Sequence, residues 1–552
     1  MWCSVFIGRR LAKAEESRFT GQGRDPSPSA QGDMGYSDRL LARILCLAAG
    51  LMMGLLAFAA TPSSAQPPLG TAAAGGVVGT GSPGSCTEAA LKAAVAGGGT
   101  VTFNCGSSAT ITLTNDVVIS KDTVIDGGGR ITISGNNVTR VFRTDNYVHF
   151  TAQNLTIQNG KEPGSDSAGG GIYGGWRGSV TVINCTFQNN DGTAGKQEAG
   201  GGAISVKAGS TLAVHDSRFI GNKGINGGAI HNLLGNLTVV NSTFTGNDSR
   251  PGASMAGFGY GGAIYTDGAS EYDSDGIGGM IYILNSTFTN NTAAGQGGAV
   301  YSFVYPPDVV VIDRSSFANN TVVVDSRGDA LGGGLRQGNG MLTLSNSTFS
   351  GNVARSQGGG FWRGESGSAT LTNVTFYANR AVADDASDTG GFGGAFAGGN
   401  LTCTNCTIAS NHAGNLGGAI FGSNAMTLRN TLFSNNTAHN DGNNWNIGQT
   451  CSNALTDGGN NLQYPAGNPN CTGSIIIADP RLGSLANNGG ATQTMALPQS
   501  SPAVNAGNAA TCPGQDQRGY ARPNRCDIGA YEYGAAPFTP REFVPLPFII
   551  RK

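Results

Sequence analysis

Four carboxylates fall within nine residues of this chain: Asp267, Glu271, Asp273 and Asp275. Three stand at alternate positions, and closely spaced hard oxygen donors suit a cation such as Ca2+. The spacing is not that of a complete EF-hand loop. Acids of this kind also keep a loop in water, or do acid–base work. The five histidines, His149, His215, His231, His412 and His439, are scattered without ligand spacing. Cys403 and Cys406 form a lone C-x-x-C, whereas zinc of this type needs a second pair, so a stacked place in the core is expected for Cys403. No Ser-His-Asp arrangement appears, and the glycine pairs are periodic, unlike a phosphate-cradling loop. No resident cofactor is therefore expected, with Ca2+ the one ion the acids would suit.

A second candidate set comes from a repeat. Its clearest copies are LTVVNSTFTGN (237–247), IYILNSTFTNN (281–291) and LTLSNSTFSGN (342–352). The bulky residue near the end of each copy is Phe187, Phe219, Phe244, Phe288, Phe317, Phe349, Phe376, Ile408 or Phe433, about 31 residues apart. Asn stands three residues after all nine of these anchors, and three residues before seven of them. Apolar residues five and seven positions before the anchor alternate at period 2, the pattern of a strand with one buried face. A weaker copy lies upstream at Phe150, Ala152, Asn154 and Ile157. Between copies comes Gly-Gly-small-apolar, as in GGAI at 201–204, 227–230, 261–264 and 417–420. That is a turn with positive φ leading into a short strand.

Such units bury their apolar face only by stacking. The expected fold is all-β: a right-handed parallel β-helix of about a dozen coils, roughly 60 Å long. Phe, Ile and Leu would form internal files, and Asn would bond to Asn above and below. The residue after each Gly-Gly-small-apolar signal should point outward. These are Tyr173, Ser205, His231, Tyr265, Tyr301, Arg336, Trp362, Ala397 and Phe421. Five are aromatic in a chain that is 7% aromatic, so Tyr173, His231, Tyr265, Tyr301, Arg336, Trp362 and Phe421 are the expected ligand face, a platform on which sugars could stack. Outer-strand β-propensity explains the same rings without a ligand.

Residues 1–65 read as an upstream segment and secretory signal. An apolar run at 44–60 follows Arg39 and Arg43, with cleavage expected after Ala65 and Met34 an alternative start. Residues 66–85 read as linker and 86–478 as the β-helix. An N-terminal cap helix is expected from Thr87, with Leu91 and Val95 on its apolar face and glycines at 97–99 ending it. Residues 479–533 break the repeat and read as a closing module; 534–552 form a tail. Export permits disulfides: Cys86 with Cys105, Cys451 with Cys471, and Cys512 with Cys526. Cys185 and Cys406 occupy equivalent places seven coils apart, roughly 34 Å, too far to bond.

The alternation of GGAI and F-x-x-N over 169–436 resembles the repeats of the polymorphic outer-membrane proteins. That resemblance implies a surface-exposed β-helix acting in adhesion. Those proteins normally carry a β-barrel after the repeats, and the 116 residues after Asn436 are too few for one. Residues 479–508, 516–523 and 526–533 are similar to the choice-of-anchor Q domain, which implies envelope display. The solenoid as a whole is similar to the pectate-lyase-like superfamily. A net charge of −2 argues against a nucleic-acid partner. The expected function is a secreted or surface-displayed, non-catalytic protein binding polysaccharide or a cell-surface ligand, with envelope association. The alternative is a polysaccharide lyase or hydrolase. No Lys lies between Lys223 and Lys552, which leaves Arg314, Arg336 and Arg363 as bases.

Overall fold

The computed structural model describes residues 74–537, apart from 163, 165–168, 196–199, 255–257, 272–277, 365, 444–448 and 524. The expected signal segment and the tail beyond residue 537 lie outside the described residues. The described chain winds into a parallel β-solenoid of about 13 turns. Sheet A has 26 strands and carries both the Leu-x-Val strand and the Phe strand of each copy; sheet B has 11 strands and sheet C seven. No described helix is long and apolar enough to cross a membrane.

Each copy stacks in register on the next. Phe187 pairs with Phe219, Phe219 with Phe244, and Phe244 with Phe288. Their rings lie 4.6–4.9 Å apart and within 8° of parallel, matching the interstrand spacing. The rings are fully buried.

Asparagine forms two files with different work. The Asn after each Phe strand is buried, and its amide bonds to its counterpart in the next turn: Asn247 Nδ2 donates to Asn291 Oδ1 at 2.9 Å, and Asn291 Nδ2 to Asn320 Oδ1 at 2.9 Å. The backbone N–H of each donates to the same oxygen. The Asn before each Phe strand makes the bend. Asn184, Asn241, Asn285, Asn346, Asn373, Asn405 and Asn430 all have φ between 46 and 53°, a left-handed region that Asn tolerates better than most residues. The two copies without Asn hold Asp216 and Arg314 in the same region, at φ 51 and 49°. The glycine pairs are steric necessities. A Cβ on Gly227 would lie 1.9 Å from the Ile230 carbonyl oxygen, and one on Gly228 2.1 Å from that of Gly262 in the next turn.

Strand β1 (Ala74–Val78) pairs in parallel with β2 (Gly99–Phe103) at the start of the described residues. Helix α1 (Glu88–Val95) lies between them, with Thr87 accepting a bond from the Ala90 N–H and Leu91, Ala94 and Val95 buried in the main core. Residues after 479 do not simply follow the last turn. They run back along the outside of sheet A. Thr348 Oγ1 donates to the Gln493 carbonyl, Asn373 Nδ2 to the Gln515 carbonyl and Asn405 Nδ2 to the Asp527 carbonyl. Leu432 and Leu462 of the solenoid share a second apolar cluster with Leu497, Ala503 and Ile528.

Candidate functional site

The expected ligand file stacks in register on sheet B: His231 pairs with Tyr265, Tyr265 with Tyr301, Tyr301 with Arg336, and Arg336 with Trp362. It is not a platform facing water. His231 is 0% exposed and Tyr173 and Tyr301 are each 8% exposed; Tyr265, Arg336, Trp362 and Phe421 are half-buried. Two physical facts explain the difference. First, the rings lie flat on one another, His231–Tyr265 at 5.0 Å and Tyr265–Tyr301 at 4.8 Å, within 10° of parallel. Their faces are spent on neighbours and only their edges remain. Secondly, the chain turns back at each glycine pair and lays the preceding segment alongside. Tyr260 packs on Tyr301 at 5.1 Å, Phe392 on Phe421 at 4.7 Å, and Trp362 Nε1 donates to Gln357 Oε1. Alternation identifies the outward face but does not show that this face lines a concave corner. Burial holds the His231 imidazole down at about 4 and pushes the Tyr301 hydroxyl up.

The two described acids of this group are drawn to separate partners. Asp267 accepts from the Tyr305 hydroxyl at 3.0 Å and the Tyr265 hydroxyl at 3.4 Å. Glu271 reaches back to Trp176 and Arg177, accepting from Trp176 Nε1 at 3.0 Å and Arg177 Nε at 2.5 Å. Asp273 and Asp275 lie outside the described residues. Among the described residues, no group of three or more His, Cys, Asp or Glu is arranged to hold a metal ion.

Glu271 thereby completes a site that the repeat analysis missed. At the edge where sheet B turns into sheet A, Tyr147 is 58% exposed and meets Trp176 edge-on at 5.3 Å. The Arg177 guanidinium lies over the indole at 4.4 Å. Beside them opens a cleft of about 370 Å³ lined by Arg177, Ser210, Leu234, Asn236, Ser270 and Glu271. Two aromatic side chains, a cation, a carboxylate and neutral hydrogen-bonding groups converge on one surface. The sequence signal was available: Trp176-Arg177 interrupts a turn that is otherwise short and small, as in Lys207–Ser210.

Cys86 is bonded to Cys105, Cys451 to Cys471 and Cys512 to Cys526. Cys403 is not merely stacked in the core: it is bonded to Cys406 across the Asn405 bend, with Cα atoms 6.2 Å apart. Cys185 is free and buried, and burial pushes its thiol up to about 12, so it is a core residue and not a reactive one.

Residues 285–302 match the Chlamydia polymorphic membrane protein repeat, the repeat whose two halves alternate along the sequence. The chain is 35% identical over 190 residues to the probable autotransporter YfaL of Escherichia coli (strain K12), covering 27% of this chain. It spans only 14% of that relative's length. Similar solved structures include the catalytic unit of a thermostable GH87 α-1,3-glucanase from Streptomyces thermodiastaticus strain HF3-3, at 14% identity and a TM-score of 0.35, covering 74% of this chain and 68% of that one. The Streptococcus pneumoniae surface adhesin PfbA has 14% identity and a TM-score of 0.31, covering 77% and 99%. The Dettilon tailspike protein has 12% and 0.28, covering 71% and 65%.

Proposed function

We propose that this chain is a secreted or surface-displayed β-helix that binds polysaccharide without turning it over, at the sheet B–sheet A edge around Tyr147 and Trp176. The observation that carries the reading is this aromatic pair, an exposed Tyr147 and a half-buried Trp176, beside a polar cleft. Aromatic rings give a sugar a flat apolar contact, and Glu271 and Asn236 supply hydrogen-bonding groups. The matched repeat and the autotransporter relative support display at the outer membrane or cell surface. Helix α1 then serves as the N-terminal cap, and residues 479–533 brace the flank of the displayed rod.

The test is glycan-array binding by the mature chain, its Trp176→Ala variant and its Tyr265→Ala/Tyr301→Ala variant. Binding lost on Trp176→Ala and kept in the double variant is expected. Binding that survives Trp176→Ala would remove this edge from consideration. New reducing or unsaturated ends in the bound glycans would replace the reading with an enzymatic one.

A further inference from the structure

Five turns beyond the turn of Trp176, about 24 Å at the interstrand spacing, two arginines on adjacent strands of sheet B have no acid partner among the described residues. Arg336 lies between the rings of Tyr301 and Trp362, 4.7 and 5.1 Å from their centroids, with Phe303 at 5.5 Å. Its Nε and Nη1 are buried and have no hydrogen-bond partner. Its guanidinium fills the space a side chain at Gly338 would take, since a Cβ there would lie 2.2 Å from Nη1. Arg363, on the next strand and the opposite face, is 1% exposed. It donates to neutral acceptors only: the Gln337 side chain and the carbonyls of Gly340 and Ser366. Its Nε is also unpartnered. Burial and the like charge of Arg336 bring it down to about 10. Among the described residues, neither guanidinium has a carboxylate within 4.0 Å, unlike the other buried arginines Arg140, Arg518 and Arg522.

A guanidinium taken out of water without an anion is unfavourable unless something supplies the charge. Stacked rings stabilise the cation's face and leave its in-plane rim as the place where an oxyanion can be met. Two of the three Arg336 nitrogens are covered, which leaves Nη2 toward solvent. The whole chain is mildly acidic, at −2, so general attraction for polyanions is weak and a local pair stands out. We propose that Arg336 is an anion site that takes the carboxylate or sulfate of a polysaccharide laid along this side of sheet B. This deepens the glycan-binding reading and rests on it.

The test compares dextran, carboxymethyl dextran and dextran sulfate, which share a backbone and differ in charge, against the full mature chain and its Arg336→Gln, Arg336→Lys, Trp176→Ala and Glu365→Gln variants. Expected is tighter binding of one charged polymer than of dextran. That preference should fall by about tenfold or more in Arg336→Gln, the weight of one charge-assisted bond, and be partly kept in Arg336→Lys. The favoured polymer tells carboxylate from sulfate. Equal binding of all three polymers would overturn the anion site and leave the glycan reading standing. Loss of the preference in Arg336→Gln with Trp176→Ala unchanged would overturn the Trp176 reading and keep the anion site. Binding of none of the polymers would overturn this proposal. Glu365 follows Arg363 by two residues in the sequence and is outside the described residues. A charge preference that appears only in Glu365→Gln would show the pair to be neutralised within the chain, and would also overturn it. Thermal unfolding of each variant establishes that the binding measured is that of folded protein; should Arg336→Gln fail to fold, Arg336→Lys, which keeps the charge but loses the planar fork, must still weaken the preference, and an unchanged preference there overturns the site.

Discussion

Arg314 holds a backbone conformation, φ 49°, that its neighbours in the same file give to Asn285 and Asn346. A left-handed φ is unfavourable for a long side chain by about 1 kcal/mol and less so for Asn. The Arg314–Asp313 contact that would be lost is an exposed pair, worth little. Arg314→Asn should therefore raise stability by about 1 kcal/mol in urea unfolding; a loss would show that the bend is not where the strain lies. The buried Asn file carries the opposite expectation. Asn291→Ala removes the oxygen that satisfies both the N–H and the side-chain amide of Asn247, and should destabilise by about 3 kcal/mol, the scale of stranded buried donors. His231 gives a pH signature. Its imidazole is held from 6.5 down to about 4 by burial, so the folded chain resists a proton that the unfolded chain accepts. The contribution is complete above pH 6.5 and is lost as pH falls toward 4, by about 3 kcal/mol. His231→Phe, which keeps a ring in the stack, should flatten the stability profile over that window; an unchanged slope would place the titration elsewhere.

Among the elements, the segment after residue 479 is the one whose position was least legible. Gln517 fixes it to the solenoid: its Nε2 donates to Thr348 Oγ1 at 2.7 Å and Thr492 Oγ1 at 2.8 Å, and its Oε1 accepts from Thr375 Oγ1 at 2.6 Å. All of these groups are buried or nearly so. Gln517→Ala should weaken docking by about 2 kcal/mol and expose residues 479–537 to limited proteolysis while the solenoid stays resistant. Equal resistance of the two would mean that Leu497 and Ile528 alone hold the segment. The strands themselves were plain in the sequence, because period 2 and the invariant Asn spacing are local and repeat many times. The path of a non-repeating segment depends on contacts 140 or more residues away, such as Thr375 to Gln517, and no local pattern encodes those. The same limit hid the edge site. Trp176 and Glu271 are 95 residues apart, joined by a loop whose length was visible but whose direction was not. Period 2 puts the file from Tyr173 to Phe421 on one side of its strand, and in the structure these residues stack on sheet B. Its burial escaped notice because a period reports which side a residue takes, not what folds over that side.

The rod as a whole has contacts mainly between adjacent turns, so its stability is close to a sum of turns and turn–turn interfaces. The segment after residue 479 breaks that rule on one half only, since its bonds reach the solenoid at Asn346, Thr348, Asn373, Asn405 and Asn430. Among the described residues, turns before about residue 340 have no such brace. Phe288 sits near the boundary, stacked on Phe244 at 4.8 Å and Phe317 at 4.9 Å. Phe288→Ala opens a cavity worth about 3–5 kcal/mol in a turn outside the braced half. Unfolding should then split into two transitions, the earlier one belonging to the unbraced N-terminal turns. Adding Gln517→Ala should move only the later transition, because sites this far apart act independently to within about 0.5 kcal/mol. Hydrogen exchange along the melt assigns each transition to its half. A single transition in Phe288→Ala, or a shift of both by Gln517→Ala, would mean that the rod melts as one cooperative unit and that its flank segment stabilises turns it does not touch.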